Sequence, residues 1–226
     1  EEAYELVDAI DSGEEGKILE EAGDILLHAV FQAVMAEERG AFSLADVTTA
    51  ECEKLISRHT HIFGRDKASD EAGALSVWEK NKQKEKGQKT AGDSVRDVPK
   101  AFPAVMRAQK AGKRAAKYGY DFKDADEAAA KVGEELSELM EALASGEQSR
   151  IREEAGDLLF SAVNVGRLAG ADCETALRES TDKFIARFLK TEELILADGK
   201  KMEELPSDEL WEYYARAKKC DDDQAR

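Results

Sequence analysis

The sequence predicts an all-α protein made of duplicated helical bundles, and three observations carry that expectation. The first is an internal repeat: aligned without gaps, residues 1–30 and 134–163 share 17 of 30 positions at a constant offset of 133, which is the signature of duplication. The second is periodicity. Leu6, Val7 and Ile10 in one copy and Leu139, Met140 and Leu143 in the other recur at helical spacing, and Ala22, Leu26, Ala29 and Val30, or Ala155, Leu159, Ala162 and Val163, form the facing stripes. The third is proline: only Pro99, Pro103 and Pro206 interrupt 226 residues, and proline is the residue a helix interior excludes.

In chain order, helices are expected over 1–11 and 14–39, joined at Asp11-Ser12-Gly13, where Ser12 can cap the second helix and Gly13 relaxes the turn. Gly40 is a stop, and Ser43 with Asp46 opens a helix over 44–60. A helix over 70–85 follows. The stretch 85–100, rich in Lys, Gly, Asp and Ser and closing on Pro99, reads as a linker between copies. A basic helix over 102–117 precedes helices over 125–144, started by Asp124 with Glu127, and 147–169, stopped by Gly170. Helices over 173–195 and 207–219 complete the second copy. The domain boundaries expected are 1–84, a linker over 85–100, 101–220 and a frayed tail over 221–226. The chain starts without Met directly on carboxylates, so the first copy is expected to be truncated at its N-terminus.

The length supports two modest domains or one duplicated bundle with a real core. A formal net charge of −16 argues against nucleic acid or an anionic membrane as partner, although a site loaded with divalent cations still takes polyphosphate. No apolar run reaches the length of a membrane span, and no signal peptide is visible. Cys52, Cys173 and Cys220 are odd in number and widely spaced. They fit neither a disulfide framework nor a zinc knuckle and point to a reducing cytoplasm.

The repeated residues that carry chemistry are acids. Glu1-Glu2-x-x-Glu5 is followed by Glu21-x-x-Asp24, and Glu134-Glu135-x-x-Glu138 by Glu154-x-x-Asp157. Residues three and four apart share a helix face, so each helix of a hairpin supplies one jaw of a carboxylate cluster suited to a hard cation. A single Glu-x-x-Glu is more often a solvated surface, but two clusters at identical spacing reverse that reading. His28 is replaced by Ser161 in the second copy, which speaks against a transition-metal or di-iron site. Each copy also carries a basic pair, Lys54 with Arg58 and Lys183 with Arg187, and a tryptophan, Trp78 and Trp211. Alone these read as ion-paired and packing residues. Together with a metal cluster they suit a nucleotide, with cations for phosphates and an aromatic surface for the base. The match breaks at Ala215, where Lys82 stands in the first copy, so a cation there must be Arg216 or Lys218.

Embedded as EEAGDILL and EEAGDLLF, these motifs resemble the MazG type of nucleoside triphosphate pyrophosphohydrolase. With Arg107-Ala108-Gln109-Lys110 and the basic and tryptophan elements, the chain is similar to the long, two-domain form over essentially its whole length. The resemblance implies MazG-like helical domains, a homodimer, and Mg²⁺, with Mn²⁺ as a substitute. It also implies hydrolysis of nucleoside triphosphates, ATP among them, to monophosphate and pyrophosphate in nucleotide-pool house-cleaning. It implies metal ligands at Glu135, Glu138, Glu154 and Asp157, and at Glu2, Glu5, Glu21 and Asp24. Substrate contacts would be Lys131, Glu134, Arg150, Glu153, Lys183, Arg187 and Trp211, with Lys54 and Arg58 in the first copy, and Glu134 or Glu138 would be the general base. The second copy, preceded by its basic helix and Lys131, is the more complete site. A non-catalytic metal-binding helical scaffold, and a pyrophosphohydrolase restricted to one nucleotide such as dUTP or dCTP, are the alternatives.

Overall fold

The computed structural model describes residues 1–224, with side chains through Cys220. Its chain divides into two compact units, Glu1–Lys89 and Thr90–Arg226. Among the described residues there is no strand.

The first unit contains α1 (Glu2–Ser12), α2 (Glu15–Glu38), α3 (Leu44–Arg58), the single turn α4 (Thr60–Phe63) and α5 (Glu71–Glu85). α1 and α2 form an antiparallel hairpin, and α3 packs on α2 and α5. Gly13 ends α1 at φ 69°, a left-handed conformation that glycine adopts without steric cost. Ser12 acts differently from the expected cap. Its hydroxyl donates to the Ala9 carbonyl at 2.8 Å and accepts from the Glu14 amide at 3.2 Å, so it ties the two helices across the turn from the end of α1. Ser145 repeats the arrangement with Ala142 and Glu147. Ser43 and Asp46 form the full capping box expected at the start of α3.

The second unit contains α6 (Ala91–Arg96), α7 (Ala104–Ala116), α8 (Ala125–Ser145), α9 (Gln148–Leu168), α10 (Cys173–Ala197), a 3₁₀ turn (Met202–Glu204) and α11 (Ser207–Gln224). α8 and α9 repeat the hairpin, α7 lies against α9 and α10, and α11 folds back along α10. The stretch expected as a linker is not open chain: Thr90 and Asp93 build a capping box that starts α6, and Ser94 and Val98 are buried. Arg114 of α7 donates to the Ser94 carbonyl at 2.5 Å and meets Asp97 at 3.6 Å, which fastens α6 to α7. Gln109 donates to the Ala171 carbonyl and accepts from the Cys173 amide, both at 2.8 Å, and so pins α7 to the turn between α9 and α10. Of the tail expected over 221–226, α11 continues through Gln224, and the last two positions lie outside the described residues.

Alanines let the helices approach closely. Ala9, Ala33 and Ala36 are buried in the first unit, and Ala128, Ala142 and Ala217 with Ile195 and Tyr213 in the second. Val163 of the expected apolar stripes is buried, but several of the larger side chains, Ile10, Leu26, Met140, Leu143 and Leu159, are exposed within their own unit. The hairpins close through the small residues, which leaves the bulky ones on an outward apolar surface of the kind that another helical layer covers.

Candidate functional site

In the second unit Glu135 comes from the middle of α8, and Glu154 and Asp157 from the facing stretch of α9. The three offer carboxylate oxygens within 4.8 Å of one another. Burial grades across the cluster: Glu135 is 6% exposed, Glu154 half-buried and Asp157 open to solvent, so the cluster is anchored at its base and accessible at its mouth. Glu138 stands one turn along α8 outside this trio. Burial, and then the charges of Glu135 and Glu154, raise its carboxyl above the usual range. In the first unit Glu2, Glu5 and Glu21 converge equally closely, and Asp24 is the expected ligand outside the trio. Burial and neighbouring acids raise both Glu5 and Glu21, and the buried Oε2 of Glu21 has no hydrogen-bond partner.

Acid clusters of this kind repel themselves, and three oxygen donors at this spacing fit a hard divalent cation. In the second unit a lysine partly offsets the charge. Lys131 donates to Glu134 at 2.8 Å and pairs with Glu135 at 2.7 Å, and these hydrogen bonds hold its ammonium firmly charged. Arg150 lies 3.4 Å from Glu141 and 3.8 Å from Glu154. In the first unit His28 stands 3.5 Å from Glu2. Glu153 is exposed.

The basic pairs diverge. Lys54 pairs with Glu51, and Arg58, whose side chain is 11% exposed, forms a two-pronged salt bridge to Glu85 at 2.7 Å per contact. Trp78 is covered by the Arg58 guanidinium at 5.6 Å and the Lys82 ammonium at 4.4 Å. In the second unit Lys183 forms no ion pair among the described residues, and Trp211 is 65% exposed, edge-on to Tyr214. Lys183 and Arg187 stand on α10, which packs on α11 and α7 and only marginally on α9, so the fold of this unit does not press them onto the carboxylates. At the break marked by Ala215, Arg216 pairs with Asp198 at 3.3 Å and lies over the Tyr213 ring, and Lys218 is exposed.

Sequence reasoning missed the tertiary partners. Glu85 is 27 residues from Arg58, and Asp121 is 46 from Arg167, its two-pronged partner, so no local spacing marks either pair. Gly112 was a readable signal: glycine inside a helix marks close packing. A Cβ there would come within 2.9 Å of Asn164 Oδ1 and 3.0 Å of Arg167 Nε.

A helical hairpin that gathers three carboxylates, built once in each unit, defines a duplicated all-α protein with carboxylate-lined sites. The profile of the MazG nucleotide pyrophosphohydrolase domain matches residues 1–63 and 124–190. The chain is 44% identical to the nucleoside triphosphate pyrophosphohydrolase/pyrophosphatase MazG of Thermotoga maritima, over 98% of this chain and 84% of that one. It is 36% identical to the nucleoside triphosphate pyrophosphohydrolase of Escherichia coli K12, over 97% and 84%. A protein of the same name from Mycolicibacterium smegmatis is 39% identical over 53% of this chain and 37% of its own. The chain belongs to the MazG nucleotide pyrophosphohydrolase family.

Proposed function

We propose that this chain hydrolyses nucleoside triphosphates to nucleoside monophosphate and pyrophosphate at the carboxylate cluster of the second unit. The convergence of Glu135, Glu154 and Asp157 carries this reading, and the activity for which the relatives from Thermotoga and Escherichia are named supports it. Mg²⁺, or Mn²⁺ in its place, fits an all-oxygen donor set of this size, held by these three residues with Glu138 beside them. When bound, the cation supplies charge neutralisation for the phosphates and activation of water. Glu138 suits the role of proton acceptor better than Glu134, because Glu134 is already engaged by Lys131. Lys131 and Arg150 neutralise the rim of the cluster and can turn to phosphate oxygens. Lys183, Arg187 and the exposed Trp211 are assigned to the substrate. Removal of stray nucleotides from the pool is the cellular role that such turnover serves.

The exposed apolar side chains on the hairpins, Met140, Leu143 and Leu159 among them, favour a homodimer that covers them. Its test is the solution mass, and an active monomer excludes it. For the first unit we infer a cation site without turnover, because Lys54 and Arg58 are bound to Glu51 and Glu85.

Pyrophosphate release from a nucleotide panel tests the function. Glu138→Gln or Asp157→Asn is expected to abolish it while circular dichroism stays unchanged. Full activity in either variant removes the cluster as the engine, and cation binding with no turnover of any nucleotide turns the reading to a scaffold.

A further inference from the structure

Two of the three histidines, His59 and His61, take no part in the proposed hydrolysis and meet where α3 gives way to α4. Residues two apart on a continuous helix do not face each other. Here the helix breaks at His59, with φ −98° and ψ 49°, and the two rings come together with centroids 5.7 Å apart and planes tilted by 53°. Both residues are half-buried. The turn that presents them is fastened by its neighbours. Thr60 donates from Oγ1 to Asp66 at 2.6 Å and accepts from Asn81 of α5 at 2.7 Å, and the Asn81 amide also donates to the Arg58 carbonyl at 3.3 Å. Gly64 closes α4 so tightly that a Cβ there would stand 2.9 Å from the Thr60 carbonyl oxygen.

The hydrogen bonds assign the nitrogens. His59 Nδ1 lies 2.7 Å from the Leu55 carbonyl oxygen. A carbonyl only accepts, so Nδ1 carries the proton and the lone pair of the neutral ring falls on Nε2. A backbone carbonyl behind one nitrogen is the arrangement that orients a histidine whose other nitrogen ligates a metal. His61 supplies the second donor: its Nδ1 is buried and has no hydrogen-bond partner, a cost that coordination removes. Two imidazole nitrogens at ~2.0–2.1 Å from one ion put their ring centroids roughly 5–6 Å apart, and the observed 5.7 Å falls in that range. The pair is also particular to the first unit. Counted from Arg58 and its counterpart Arg187, the second unit has Phe188 and Lys190 in these places, so the duplicated helix does not need the histidines in order to fold.

We propose that His59 Nε2 and His61 Nδ1 form a two-histidine site for a divalent transition cation of the zinc class, separate in residues and in donor chemistry from the carboxylate clusters. Imidazole suits zinc, copper, nickel or iron, whereas carboxylate oxygens suit magnesium. Among the described residues no third Asp, Glu, Cys or His closes on the pair, so water completes the shell. The ion ties the end of α3 to α4, and with them the turn that Asn81 anchors to α5.

The probe is Zn²⁺, titrated into the wild-type chain with excess Mg²⁺ present to compete at carboxylate oxygens. The chain has only three histidines, so long-range ¹H–¹⁵N spectra of the imidazoles resolve each ring and show which nitrogen is ligated. His59 Nε2 and His61 Nδ1 are expected to shift together and saturate at one Zn²⁺, with His59 Nδ1 still protonated and His28 unmoved. His59→Gln is expected to weaken Zn²⁺ at His61 about tenfold or more, and His61→Gln to do the same at His59. Movement of only one of the two rings, equal movement of His28, or undiminished affinity in either variant overturns the proposal. A His61 Nδ1 that stays unligated at saturation also overturns it, and leaves a buried water as the partner of that nitrogen. The wild-type titration decides the matter even where a variant loses its fold.

Discussion

The two carboxylate hairpins are near-copies, and their surroundings have diverged. Both gather three acids from two helices joined by the same serine and glycine turn. In the first unit the adjoining cations are consumed internally: Glu85 grips Arg58, and Arg58 and Lys82 cover Trp78. In the second unit Trp211 is exposed, and at the offset of 133 Glu85 is replaced by Lys218, a reversal of charge. The second unit also carries the paired frame of Asn164, Arg167 and Asp121. The two copies therefore share the carboxylate hairpin and differ in the charged and aromatic side chains around it. A carboxylate cluster alone is a poor guide to which copy turns over substrate.

The largest expected effect breaks this comparison directly. Asp157→Asn and Glu154→Gln should lower pyrophosphate release by about 10³-fold or more, the scale of losing several kcal/mol of charge stabilisation. The matched first-unit variants Asp24→Asn and Glu21→Gln should leave kcat within about twofold. Equal losses from both sets would mean two working sites. EDTA should abolish turnover in the wild-type chain, and the divalent cation should raise its Tm, because a ligand that binds only the folded state stabilises it.

A smaller effect is expected at the basic pairs. Lys183→Ala and Arg187→Ala should reduce kcat/KM by about 10²-fold, in line with removal of one charge-stabilising donor. Arg58→Ala should lower Tm and leave kinetics near wild type, since Arg58 holds Glu85 and Trp78. A kinetic loss in Arg58→Ala larger than that in Arg187→Ala would reverse the assignment of roles between the units. Lys218→Glu, which gives the second unit the charge of the first, should raise KM several-fold, read from the same pyrophosphate assay.

Much of this was legible in the sequence, because the repeat and the carboxylate pairs are local. Acids three and four residues apart must share a helix face, and the duplicated spacing removed the reading of a solvated surface. The capping box of α3 was legible for the same reason. α6 was not: Thr90 and Asp93 carry the signal of a helix start, but the surrounding Lys, Gly and Pro outweighed it, and burial of Ser94 and Val98 against α7 tips the balance toward helix. Apolar periodicity identified the helices but not what covers them, since a stripe facing a partner and a stripe facing the core look alike in sequence. The frame around Arg167 stayed hidden because it joins residues 46 apart.

The smallest expected effect is spectroscopic, and it tests whether the closed arrangement belongs to the first unit alone. Hydrogen bonds from Arg58 hold the Glu85 carboxyl below its usual range. A carboxyl depressed by folding stabilises the native state above its ordinary value, and that contribution is lost as pH falls through the depressed one. The chain has two tryptophans, so Trp211→Phe leaves Trp78 as the only indole. Its emission should shift as pH falls below the ordinary Glu value of 4.5, when protonated Glu85 releases Arg58 from its place over the ring. In the Trp211→Phe/Glu85→Gln double variant the shift should disappear. Trp78→Phe, which leaves only the exposed Trp211, should stay flat through the same window, because no arginine–carboxylate pair is stacked on that ring; an equal acid shift there would show that the emission reports general acid loosening rather than the Glu85 contact.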